Sequence, residues 1–134
     1  MTAPISVAYK LNDRKAVSET LEGETMIIHL ETGSYYSLNP AASVIWELIL
    51  AGHGTIEILA YAARRYDGFT EDDVRSFIES LVTDGLIVRS EAASPDLPEW
   101  DGSRESALAP AFERYDDMQE MLLADPIHDV APDG

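Results

Sequence analysis

The stretch "TMIIHLETGSYYSLNPAASVIWELI", residues 25–49, changes its period halfway along. In its first half Met26, Ile28 and Leu30 alternate with Ile27 and His29, the two-residue period of a strand. Thr32-Gly33 interrupts the run, and Tyr35, Tyr36 and Leu38 resume it, so the pattern predicts two strands joined by a turn. Asn39 then offers a side-chain acceptor to the unpaired N–H groups of a helix start. Pro40 fits the first helical position, where its missing N–H is not needed. Ala41, Ile45, Leu48 and Ile49 follow at helical spacing, and Gly52 ends the helix.

Elements of the same kind flank this core motif. "VSETLEGE" reads as a further strand, with Gly23 in a turn. Thr55 is expected to cap a second helix, "TIEILAYAARRY", with Ile56, Leu59, Ala60 and Ala63 on its buried face. A tight turn around Asp67-Gly68 leads to a third helix, "TEDDVRSFIESLVTD". Thr70 and Asp73 open it as a capping box, Val74, Phe77, Ile78, Leu81 and Val82 point inward, and Gly85 stops it. "LIVR" follows as a short strand. The predicted fold is α+β and winged helix-turn-helix-like: a three-stranded antiparallel sheet packed on three helices, followed by an extended or short-helical C-terminal tail.

The chain changes character near residue 92. Residues 1–92 hold 14 Asp/Glu and 7 Lys/Arg, whereas residues 93–134 hold 11 and 2, so the shorter piece carries the larger negative balance. The shorter piece also has five of the seven prolines, which favours a linker and tail over a second core. The division expected is a domain over 1–92, an acidic linker over 93–106 and a distinct tail over 107–134.

Composition removes several functions. With no cysteine, disulfides, thiolate zinc sites and a Cys nucleophile are excluded. His29, His53 and His128 lack metal-site spacing, so no metal and no cofactor are expected. No Gly-x-Ser-x-Gly elbow or glycine-rich phosphate loop is present, so no enzyme is expected. The net charge of -16 repels phosphate backbones, and the third helix sets Glu71, Asp72, Asp73, Glu79 and Asp84 against Arg75 alone. That acidity argues against nucleic acid and against a transcriptional regulator, the alternative that a winged helix raises. The longest apolar run is broken by Glu47 and too short for a membrane, and residues 1–15 lack a signal peptide's basic start and apolar core. A cytoplasmic protein is expected.

Peptide binding remains. An exposed edge at "GSYYSL" could recruit an extended peptide through backbone hydrogen bonds. Tyr35 and Tyr36 fall on opposite faces, so one packs inward while the other can meet a partner; both also make sense as ordinary sheet aromatics.

"LEGETMIIHLETGSYYSLNPAASVIWELI" followed by "GTIEILAYAARRYDGFTEDDVRSFIESLVTDGLI" resembles the PqqD-like family, the recognition elements of ribosomally made peptide natural products (RiPPs). The resemblance covers roughly residues 5–92. It implies a non-catalytic protein that binds the leader part of a precursor peptide and presents it to a maturation enzyme. The leader would add as a strand to the third sheet strand and lie against the third helix. On this sequence the edge becomes Gly33, Ser34, Tyr35, Tyr36, Ser37 and Leu38. The facing helix runs from Asp72 to Val82, with Arg75, Ser76 and Glu79 as outward polar contacts.

The tail carries a second resemblance. "APAFERYDDMQEMLLADPIHDV" is similar to RiPP precursor peptides, whose lasso-type leaders space their anchors Y-x-x-P-x-L. Pro110, Phe112 and Tyr115 match the later part; Ala107 stands where the first Tyr would be, and Phe112 where the Leu would be. One expectation is a built-in leader that docks on the edge of its own chain or of a neighbour, giving a homodimer by tail exchange. The other is a short amphipathic helix, with Tyr115, Met118 and Leu122 on one face and Asp125-Pro126 at its end, docking on a partner enzyme or a dimer mate. A purely structural interaction module is the remaining alternative.

Overall fold

A computed structural model of the chain describes residues 7–91 and 98–116. The element order is β1 (Ala8–Leu11), β2 (Ala16–Leu21), β3 (Glu24–His29), β4 (Tyr35–Leu38), α1 (Pro40–Leu50), α2 (Thr55–Arg65), β5 (Tyr66–Asp67), α3 (Glu71–Thr83), β6 (Ile87–Ser90), β7 (Glu105–Ser106) and β8 (Phe112–Tyr115). The class is mixed α+β with three helices and antiparallel sheets, as the sequence suggests.

The strand count corrects the sequence reading. The main sheet has four strands in the order β2-β3-β4-β8, not three. The fourth comes from the stretch read as tail. The strand after α3 does not fold into a hairpin wing; β6 pairs antiparallel with β1, aligning Ala8 with Ser90 and Leu11 with Ile87. A two-residue parallel pairing joins β5 and β7.

The β3–β4 hairpin turns where expected. His29 and Ser34 close it, with the His29 N–H donating to the Ser34 carbonyl at 2.8 Å. Gly33 supplies the turn's left-handed residue at φ +78°. The imidazole Nδ1 of buried His29 accepts from the Glu31 and Thr32 N–H groups at 3.2 and 3.4 Å, so this histidine is turn structure. Along β3, Thr25, Ile27 and His29 point inward, while Met26, and Leu30 just beyond the strand, are exposed.

Helix α1 is the centre of the molecule. The Asn39 side chain accepts from the Ala42 N–H at 2.9 Å, with Pro40 at the first turn. Ala41, Ala42, Ser43, Ile45, Trp46, Leu48 and Ile49 are all buried, so the helix is covered on more than one side. Trp46 and Ile45 have no exposed surface and pack with Ile27, Tyr36, Ile58, Leu81 and Leu86 in one core.

Helix α2 is turned relative to the expectation. It buries Ile58, Leu59, Tyr61 and Ala62, while Ile56, Ala60 and Ala63 are exposed. A helix whose Ala and Ile residues fit two stripes cannot be oriented by periodicity alone; the bulk of Tyr61 decides it here. Thr55 is the first helical residue and Gly54 the cap; the Thr55 hydroxyl instead donates to the Val7 carbonyl at 2.8 Å, tying α2 to the start of β1. Helix α3 opens with the Thr70/Asp73 capping box and buries Val74, Phe77, Ile78 and Leu81, but Val82 is 41% exposed.

Candidate functional site: the β4 edge and α3

β8 lies antiparallel on the outer edge of β4, with Tyr35 opposite Tyr115, Tyr36 opposite Arg114, Ser37 opposite Glu113 and Leu38 opposite Phe112. The Asn39 N–H donates to the Ala111 carbonyl at 3.1 Å. The two-residue period of a strand aims the Tyr35 and Ser37 N–H groups the same way. Without β8 those groups would form an open sheet edge.

Alternation sorts the arriving side chains. Phe112 and Arg114 face α3; Glu113 and Tyr115 face outward. The Phe112 ring meets Tyr36 edge-on, with centroids 5.1 Å apart, and approaches Phe77 of α3 at 6.3 Å. On the outer face Tyr115 stacks on Tyr35 at 4.8 Å, and its hydroxyl donates to the Glu113 carboxylate. Between strand and helix lies a cleft of about 350 Å³ lined by Asp73, Ser76, Phe77, Ser80, Pro110 and Phe112.

Asn39 secures the approach to β8. Its side-chain N–H donates to the Ala109 carbonyl at 2.8 Å, while Oδ1 accepts from Ala42 in α1 and from Ala111 at 3.4 Å. The helix cap is therefore also a hook for the incoming chain. At the far end, buried Ser34 donates to Asp116 Oδ1 at 2.6 Å, and Arg114 Nε donates to the same oxygen at 3.2 Å. These two hydrogen bonds hold the Asp116 carboxyl below the usual carboxylate range.

Tyr36 links sheet to helix. It is 1% exposed, and its hydroxyl donates to Asp84 Oδ2 at 3.0 Å. Burial first, then that hydrogen bond, pushes the phenol from 10.0 up to about 12. The neutral form is thus favoured by folding: this contribution is whole below pH 10 and is lost as pH rises toward about 12. Titration at 295 nm should show a late phenol with a midpoint near 12 that Tyr36→Phe removes. Ionisation of every tyrosine near pH 10 would contradict this.

A second contact precedes β8. Residues 98–106, read as linker, are tied to the end of α2. The Arg65 guanidinium lies 4.2 Å from the Trp100 ring centroid and forms an ion pair with Glu105 at 3.5 Å. Arg104 donates to the Tyr66 carbonyl, and Ser106 donates to Asp67 Oδ1 at 3.1 Å. Gly68, at φ +110°, leaves room for this strap: a Cβ there would sit 2.7 Å from the Ala107 carbonyl oxygen.

The sequence-derived site residues divide. Tyr35, Tyr36, Ser37 and Leu38 form β4 and carry β8; Ser34 heads the strand and Gly33 lies in the turn before it. Pro110, Phe112 and Tyr115 lie on this edge, whereas Met118 and Leu122 fall outside the described residues. Of the α3 residues expected from the sequence only Ser76 lines the cleft. Arg75 and Glu79 line a separate groove of about 610 Å³ with Val7, Tyr9, Ile56 and Leu59. Asp72 and Val82 are exposed and outside the cleft lining. The helix face toward β8 is Asp73, Ser76, Phe77, Ser80 and Asp84, about one residue of rotation (~100°) from the expected one. Phe77 was read as core, which hid the stripe beside it; Asn39, Asp84, Arg114 and Asp116 were not anticipated as site residues. Among the described residues no group of His, Asp and Glu could hold a metal, and no helix is long and apolar enough to cross a membrane.

The chain matches the family described as coenzyme PQQ synthesis protein D (PqqD) over residues 24–87. It is also similar to a solved structure described as TbiB1 in complex with the TbiA(beta) leader peptide, with 30% identity, 63% of this chain and 99% of that chain covered, and a TM-score of 0.53. No curated protein matches it.

Proposed function

This chain belongs to the PqqD-like family of RiPP recognition elements, and from that footing we propose that it captures leader peptides by strand addition at β4 and hands them to a maturation enzyme. One observation carries the reading: the β4 edge is built to receive an antiparallel strand, and residues 112–115 occupy it. Backbone pairing gives such a site affinity, and the pockets for alternate side chains give it selectivity. The cleft beside Phe112 and the stacking surface that Tyr35 offers Tyr115 would play that part. The solved complex of a similar domain with a leader peptide supports the same use.

In this reading the protein is non-catalytic, and its own segment is a built-in leader. Tethering raises its local concentration to about the millimolar range, so modest intrinsic affinity keeps it docked. The segment either leads a substrate carried on the same chain or holds the edge until another leader displaces it. Exchange of the segment between two chains would use the same contacts.

A chain ending at residue 91, checked for folding by circular dichroism, should bind a synthetic peptide spanning 107–134 saturably. A folded domain that ignores the peptide would overturn the proposal.

A further inference from the structure

Ser34, Tyr36 and Asp84 make a polar niche where β4 meets the C-terminal end of α3. Ser34 and Tyr36 are buried, and the Asp84 side chain is 21% exposed. An aspartate caps α3 there, where the helix dipole disfavours negative charge. Part of its charge is engaged by the Tyr36 hydroxyl. The rest meets Arg114: Nη1 lies 3.7 Å from Asp84 Oδ2, and Nη2 donates to Ser34 Oγ at 3.4 Å. The guanidinium sits 6.0 Å from the Tyr36 ring centroid. Arg104 and Arg114 are the two Lys/Arg residues of 93–134, so placing one of them in this niche is selective use of a scarce charge.

We propose that this niche reads a cation in the leader: a peptide accepted at the β4 edge carries an aromatic at the Phe112 position and a basic side chain two residues later. The proposal rests on the reading of β4 as a leader edge. The spacing follows from the strand. Residues two apart share a face, so the aromatic enters the Tyr36/Phe77 pocket and the cation reaches Asp84, while the residue between them faces outward. Asp73 and Asp84 also repel acidic leaders, which adds selectivity by exclusion.

The test uses the full chain with its own strand disabled by F112D and R114D. It is titrated by fluorescence anisotropy with a labelled peptide of residues 107–116, and with R114K, R114Q and R114E versions of that peptide. Arg should bind tightest, Lys close behind, Gln about fivefold weaker and Glu weaker still, as fits a partly exposed ion pair. Adding D84N to the receptor, which keeps an acceptor for the Tyr36 hydroxyl, should remove the preference for Arg over Gln. Adding D84K should turn the preference toward Glu. Equal binding of all four peptides, or an Arg preference that survives D84N, overturns the niche and leaves the edge standing. A folded receptor that binds none of them overturns the edge itself.

Discussion

Phe112→Asp should strip β8 from the sheet while leaving the domain folded. The substitution removes the ring that packs on Tyr36 and Phe77 and brings a carboxylate toward Asp73. Burial of a partly buried aromatic with its ring contacts is worth about 2 kcal/mol, so the docked fraction should fall by about thirtyfold relative to the undocked one. Amide hydrogen exchange reads this directly. The N–H groups of Tyr35 and Ser37, and those of their partners Glu113 and Tyr115, should lose protection together, while those of α1 keep theirs. Unchanged protection at Tyr35 and Ser37 would mean that something other than Phe112 anchors the strand.

Trp46→Ala should have the largest effect on stability. Trp46 has no exposed surface, sits amid the α1 core and donates from Nε1 to Ser18 Oγ at 3.2 Å. Emptying such a site costs about 3–5 kcal/mol, a large share of the roughly 5–15 kcal/mol that holds a small domain together. Urea unfolding followed by circular dichroism should show a midpoint shifted far down, or no folded baseline. Trp46→Phe keeps most of the packing and should lose much less. A midpoint for the alanine variant near that of the parent would contradict the central place given to α1.

Local chemistry made the middle of the chain legible. Asn39-Pro40, Thr70 with Asp73, and Gly85 mark helix ends by hydrogen bonds within a few residues, so a reader of the sequence can place them. The long-range pairings are different in kind. β1 meets β6 across most of the domain, and Tyr35 meets Tyr115 across 80 residues. "FERY" presents an aromatic and a charge to each face, so no apolar alternation announces β8 as a strand. The resemblance to leader peptides was the signal that singled the segment out. For α3, amphipathic reasoning found the buried stripe, and the resemblance placed the outward contacts at Arg75, Ser76 and Glu79, of which Ser76 lines the cleft beside β8. The face that meets β8 adjoins the core through Phe77. The strap over residues 98–106 was hidden by its acidic, proline-containing composition; Trp100 and Arg104 were its only cues.

The central claim is that the β4 edge is a leader site held by the chain's own strand. Competition tests it most directly. Unlabelled peptide of residues 107–116 is added to the full chain while exchange is followed at the N–H groups of Glu113 and Tyr115 and of Tyr35 and Ser37. The expected result is that peptide binding frees the Glu113 and Tyr115 N–H groups while Tyr35 and Ser37 stay protected, because one strand has replaced another. Peptide that binds while Glu113 and Tyr115 keep their protection would place the leader site elsewhere and contradict the account.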